Sequence, residues 1–119
     1  MNKKEIGKKG EDLALAHYEK RGYRCLFRNW RLRGGELDLI LQKGLDLVFV
    51  EVKTRATPIG GWGENAVDRR KKQTISQLIK NFVWLNPEYE KYYPRFDIMV
   101  VETFTDTINY LCYENCPLE

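Results

Sequence analysis

The sequence predicts a mixed α/β domain, a sheet flanked by helices in the order α-β-β-β-α-β-β. Three observations predict it. Apolar residues recur at helical spacing in two separate segments, one near the start of the chain and one past its middle. Five short runs of alternating apolar and polar residues, rich in aromatic and β-branched types, lie between and after them. The length of 119 residues suits one domain, and 43% hydrophobic against 31% charged residues suits a globular chain and excludes a disordered or low-complexity one.

From Lys3 to Arg21, the residues Ile6, Gly10, Leu13, Ala14, His17 and Tyr18 share one face of an amphipathic helix that Gly22 closes. Tyr23 to Arg31 reads as a strand, and Gly34-Gly35 separates it from a second, Glu36 to Gln42. Leu47 to Thr54 is the third. Pro58 and Gly60-Gly61-Trp62-Gly63 predict a loop. A long helix follows from Asn65 or Asp68 to Leu85, with Val67, Ile75, Leu78, Ile79, Phe82 and Val83 facing the core and Trp84 near that face. Pro87 ends it. Two further strands are predicted near Arg95 to Glu102 and Thr107 to Tyr113.

The chemistry is concentrated in the second and third strands. Leu37, Leu39 and Leu41 alternate with Glu36, Asp38 and Ile40, while Val48, Val50 and Val52 alternate with Phe49, Glu51 and Lys53. If the strands pair as a hairpin, their aliphatic faces must coincide, which requires facing residue numbers to add to an odd total. A two-residue turn at Gly44-Leu45, with Gly in the first central place as a type II′ turn prefers, makes Asp38 face Glu51 and Glu36 face Lys53. Opposed carboxylates repel unless a proton or cation lies between them. Hard oxygen donors suit Mg²⁺ or Mn²⁺, and Lys53, two residues from Glu51, lies where its ammonium orients a water or meets charge developing on a phosphate. The plain alternative is a salt-bridged patch of Glu36, Asp38, Glu51, Lys53 and Arg55 at a strand end.

Charge is distributed unevenly. Residues 1–35 carry net +6, residues 36–85 net +2 and residues 86–119 net −5, within a total of +3. The basic N-terminal third is either a solvated face or a surface for a polyanion. Arg28, Arg31, Arg33, Arg55, Arg69, Arg70, Lys71 and Lys72 cluster in sequence around the proposed site and are the candidate phosphate contacts. No apolar run approaches the ~18 residues of a membrane span, and the first twenty residues are too charged for a secretion signal. Cys25, Cys112 and Cys116 form neither a disulfide framework nor a zinc set with the single His17. A cytoplasmic protein is expected.

Asp38 followed thirteen positions later by Glu51-Val52-Lys53, between a helix bearing Glu11 and another helix, resembles the PD-(D/E)XK nuclease superfamily. More narrowly, six ordered blocks resemble the YraN-like family of predicted endonucleases: Gly7-Lys8-Lys9-Gly10-Glu11 with Ala14; Gly22-Tyr23; Asn29-Trp30-Arg31; Gly35 to Ile40; Phe49 to Arg55; and Arg95-Phe96-Asp97. The resemblance spans nearly the whole chain. It implies a single restriction-endonuclease-like domain over residues 1–119 and a metal-dependent endonuclease that hydrolyses phosphodiesters in structured or branched DNA. By the same resemblance, Asp38 and Glu51 hold Mg²⁺ or Mn²⁺ with the main-chain carbonyl of Val52, Lys53 positions the water, and Glu11 reaches the same site. Gly10 would let its helix approach the sheet closely. Leu37 replaces the superfamily's proline, and Lys72 or Gln73 only loosely matches the second-helix residue some members use. Similar resolvases act as dimers, so a homodimer is expected by analogy. The alternative from another class is a non-catalytic nucleic-acid-binding or interaction module that keeps the fold.

Other signals are weaker. Gly61-Trp62-Gly63-Glu64-Asn65-Ala66 fits a relaxed dinucleotide fingerprint but lacks the preceding strand and the later acidic residue. His17 reads as a packed histidine, Asp97 as support for the core or the helix ends, and Trp30, Trp62 and Trp84 as possible base-stacking residues.

Overall fold

A computed structural model describes residues 1–58 and 67–118. The elements are α1 (Lys3–Lys20), β1 (Arg24–Leu32), β2 (Gly35–Lys43), β3 (Asp46–Arg55), α2 (Arg69–Leu85), β4 (Tyr93–Glu102) and β5 (Asn109–Tyr113), in the predicted order. A 3-10 turn, Pro87–Tyr89, follows α2 where proline stops the helix. The strands form one mixed sheet in the order β1-β2-β3-β4-β5, with β3 and β4 parallel and the other pairs antiparallel. The α2 segment makes the crossover that a parallel pair requires.

Both helices begin on side-chain caps. Asn2 accepts from the Glu5 N–H at 2.9 Å while the Glu5 carboxylate accepts from the Asn2 N–H, and Asp68 accepts from the Lys71 N–H at 2.8 Å. The helices cover opposite faces of the sheet. Ile75, Leu78, Ile79 and Phe82 of α2 pack with Leu47, Phe49, Phe96, Ile98 and Val100, whereas Ala14 and Tyr18 of α1 pack with Leu39, Leu41, Val48, Val50, Met99 and Val101. Phe82 is fully buried among the rings of Phe27, Trp30, Phe49 and Tyr89, with centroids 5.2–5.7 Å away. Among the described residues no helix is long and apolar enough to cross a membrane.

The β2–β3 hairpin has the predicted register: Lys43 faces Asp46 and Leu39 faces Val50 across a turn at Gly44-Leu45. Gly44 has φ +60° while Leu45 does not enter positive φ, as a type II′ turn demands. The ladder stops at Leu39–Val50, one step before the expected Asp38–Glu51 pair. Past that point the Val52 N–H is taken by the Asp38 carboxylate at 2.9 Å. Glu36 does not face Lys53; its carboxylate turns to β1, where Arg31 is its ladder partner and salt bridge at 2.8 Å. Alternation breaks at the same place. Leu37 leaves the face of Leu39 and Leu41 and joins the α2-side core.

One other expectation needs correction. Trp84 is 82% exposed, because it lies about 200° round the helix from Phe82 and so opposite the core stripe of Ile75, Leu78, Ile79 and Phe82. Helix α1 runs to Lys20 with Arg21 as its cap, and Gly22 at φ +91° closes it as expected. The Gly60–Gly63 loop, the Asn65 start of α2, Trp62 and the dinucleotide-like stretch lie outside the described residues.

Candidate metal centre and its basic surround

The site forms where the β2–β3 hairpin opens. Carboxylate oxygens of Glu11 on α1, Glu36 and Asp38 on β2 all lie within 4.8 Å of one another. Three elements make this possible. Gly10 allows α1 to touch β3 so closely that a Cβ there would fall 1.7 Å from the Thr54 Oγ1, and this contact delivers the next residue, Glu11, to the sheet end. The early end of the ladder releases Asp38 from strict strand geometry.

Asp38 is mostly buried, and its carboxyl is pushed up to about 8. Burial is the main cause and the Glu51 charge beside it the next, partly offset by the Val52 N–H. The metal-free pocket therefore holds a proton on a carboxyl that would otherwise ionise near 4. Glu51 is only 4% exposed. Its Oε2 lies 3.5 Å from the Lys53 Nζ and 3.3 Å from the Lys71 Nζ, so a buried carboxylate is compensated from β3 and from the first turn of α2.

Asn29 of β1 lies beside the acids with φ +51°. Its Nδ2 donates to the Glu11 Oε1 at 3.0 Å and the Glu36 Oε1 at 2.8 Å. The donor set for a cation is entirely oxygen, which fits Mg²⁺ or Mn²⁺ and not zinc. Glu11, Glu36, Asp38 and Glu51 could supply it, and the proton held on Asp38 marks a place where positive charge is wanted.

The predicted basic residues divide into groups. Arg28 binds Asp12 at 2.7 Å and comes within 4.0 Å of Glu11, while Arg31 pairs with Glu36 and stays largely exposed. Arg33, Arg69, Arg70 and Lys71 are exposed and Lys72 is half-buried. Arg55 is turned inward, bonded to Glu102 at 2.6 Å and to the Pro58 carbonyl. Two clefts of about 490 and 460 Å³ meet at Glu11, one lined by Lys3, Lys4, Lys8, Arg28 and Arg31, the other by Lys53 and Arg55. A further cavity of about 700 Å³ runs along α2 past Arg69, Lys72 and Lys80, and Asp68, which caps the helix, is the carboxylate among its described lining residues. The chemistry favours the end where the acids converge.

Sequence reasoning assigned Asn29 no role beyond its place in the Asn29-Trp30-Arg31 block, set Glu36 opposite Lys53 or in an ion-pair patch, and offered Lys71 as a phosphate contact alone. An asparagine inside a strand is a weak local signal, since it is a poor strand former that tolerates positive φ. His17 stacks on Tyr110 at 4.2 Å, as a packed histidine should. Asp97 is fully buried and saturated by Tyr18, Arg95 and the Asn115 N–H, so it ties β4 to α1 and to the chain after β5.

Comparison with known proteins places these residues in a family. The model of an uncharacterised protein family, UPF0102, matches residues 10–101. Similar relatives, each called a UPF0102 protein, include one from Dictyoglomus thermophilum, 43% identical over 102 residues and 85% of each chain. One from Fusobacterium nucleatum is 40% identical over 83% of this chain and 82% of its own. A third, from Carboxydothermus hydrogenoformans, is 38% identical over 86% of both.

Proposed function

This chain belongs to the uncharacterised protein family UPF0102, and from its carboxylate site we propose that it is a metal-dependent endonuclease acting on structured or branched DNA, with a restriction-endonuclease-like domain. The observation that carries the reading is the convergence of Glu11, Glu36 and Asp38 within 4.8 Å, next to a buried Glu51 that two lysines flank. Asp38 and Glu51 would hold Mg²⁺ or Mn²⁺, with Glu11 and the Val52 carbonyl as further donors. When bound, the cation polarises the scissile phosphate and lowers the pKa of water.

The protein's own groups do the rest. Lys53 and Lys71 bear on one oxygen of Glu51, which places two ammonium groups where they would meet the charge of a phosphate brought to that carboxylate. Lys53 orients the attacking water. The Val52 N–H fixes Asp38 in the orientation that ligation needs. Arg28, Arg31 and the lysines of the α1 cleft neutralise phosphates flanking the cut, and Arg69, Arg70 and Lys72 do so from α2.

A second reading is a nucleic-acid-binding module without turnover. The double lysine compensation of Glu51 favours it, because Glu51 is then balanced without a cation. Cleavage of single-stranded, duplex, flap and four-way-junction DNA with Mg²⁺ or Mn²⁺ separates the two, with wild type beside Glu51→Ala and Lys53→Ala. The nuclease reading expects cleavage by wild type that both substitutions abolish. DNA binding retained by all three proteins without any cleavage would replace it with the second reading.

A further inference from the structure

We infer that Asn29 is a positioning residue of the carboxylate site: its amide nitrogen holds Glu11 and Glu36 together, one hydrogen to each, and so pre-forms the cation-binding cluster. The inference rests on the metal reading above.

Two carboxylates that approach this closely repel, and each long glutamate side chain loses rotamer freedom on being fixed. The –NH₂ group of Asn29 carries two hydrogens on one atom and spends them on Oε1 of Glu11 and Oε1 of Glu36, at 3.0 and 2.8 Å. That leaves the second oxygen of each acid outside this clamp. Glu11 stands on a helix and Glu36 on a strand, so the bridge also fixes α1 against the edge of the sheet.

The residue type matters in three ways. A neutral amide steadies the acids without cancelling their charge, whereas a lysine or arginine in its place would compete with the cation. The backbone at Asn29 has φ +51°, a left-handed conformation that asparagine adopts at less cost than most side chains. Gln would carry the amide past the gap, and Asp would replace the donor with a third repelling charge. Arg31 salt-bridges the other oxygen of Glu36 at 2.8 Å and Arg28 comes to 4.0 Å from the Glu11 Oε1, but neither reaches both acids as Asn29 does.

The test uses Asn29→Gly, which keeps the positive φ without strain and deletes the amide, and Asn29→Asp, which keeps the shape and deletes the donor. Mn²⁺ affinity is measured by calorimetry on the full chain, with thermal unfolding in chelator as the control for fold. The expected result is a melting temperature close to wild type for Asn29→Gly and a Mn²⁺ affinity about tenfold or more weaker, the usual scale for losing a group that orients a ligand. Asn29→Asp is expected to bind no better than Asn29→Gly at pH 7. Wild-type affinity in Asn29→Gly, with Asp38→Asn impaired, would overturn the role of Asn29 alone. Wild type that takes up no Mn²⁺ would overturn this role together with the metal reading on which it stands.

Discussion

At the scale of single residues the account turns on Asp38. Its carboxyl ionises near 4 in the unfolded chain and only at about 8 in the folded one, so between those values the folded state holds the extra proton. The favourable contribution is present in full below about pH 4 and is lost as pH rises through about 8. Metal-free protein should therefore melt at a lower temperature at pH 8.5 than at pH 5, and Asp38→Asn should flatten that dependence, as thermal scans in chelator would show. An unchanged pH dependence in Asp38→Asn would mean that the carboxyl is not perturbed. The same proton must leave when a cation binds, so Mn²⁺ affinity should rise between pH 6 and 8 and level off above. That Asp38 and Glu51 come close was legible from parity and a glycine-led turn, although the ladder stops before they pair. The departure of both side chains from the ladder was not, because it depends on the Val52 N–H and on Glu11 arriving from a distant helix.

At the scale of elements, the contact between α1 and β3 decides whether Glu11 belongs to the site. A Cβ at Gly10 would meet Thr54 at 1.7 Å, so Gly10→Ala must push the helix off the strand. We expect a loss of about 1–3 kcal/mol, typical of overpacking, together with weaker Mn²⁺ binding as Glu11 withdraws. Chemical denaturation and calorimetry on the same protein check both, and Gly10→Ala/Thr54→Ala should recover part of the stability. Wild-type stability in Gly10→Ala would show that the helix is not held by this approach. The glycine next to the glutamate was readable as a close-approach device. Trp84 is expected near the core face, but helical spacing sets it about 200° from Phe82, opposite the buried stripe, and it stands in solvent.

At the scale of the whole molecule, the element order followed from patterning, since alternation and helical spacing report burial directly, and the hairpin register from that patterning together with the Gly44-Leu45 turn. What patterning could not give was which acids meet. Among the described residues the fold brings together two clusters of potential ligands, and they differ in kind. Asp97, Cys112 and Glu114 lie within 4.8 Å of one another, but Arg95 reaches both carboxylates and Tyr18 and Asn115 donate to Asp97, so that cluster is already satisfied. Glu11, Glu36 and Asp38 lie at the open end of the hairpin, beside two basic clefts, bridged by a neutral amide and keeping a proton on Asp38. The most direct test is a Mn²⁺ titration of wild type, Asp38→Asn and Glu114→Gln at pH 8. The account predicts binding by wild type and Glu114→Gln and its loss in Asp38→Asn. Binding that survives in Asp38→Asn and disappears in Glu114→Gln would place the cation in the other cluster and contradict it.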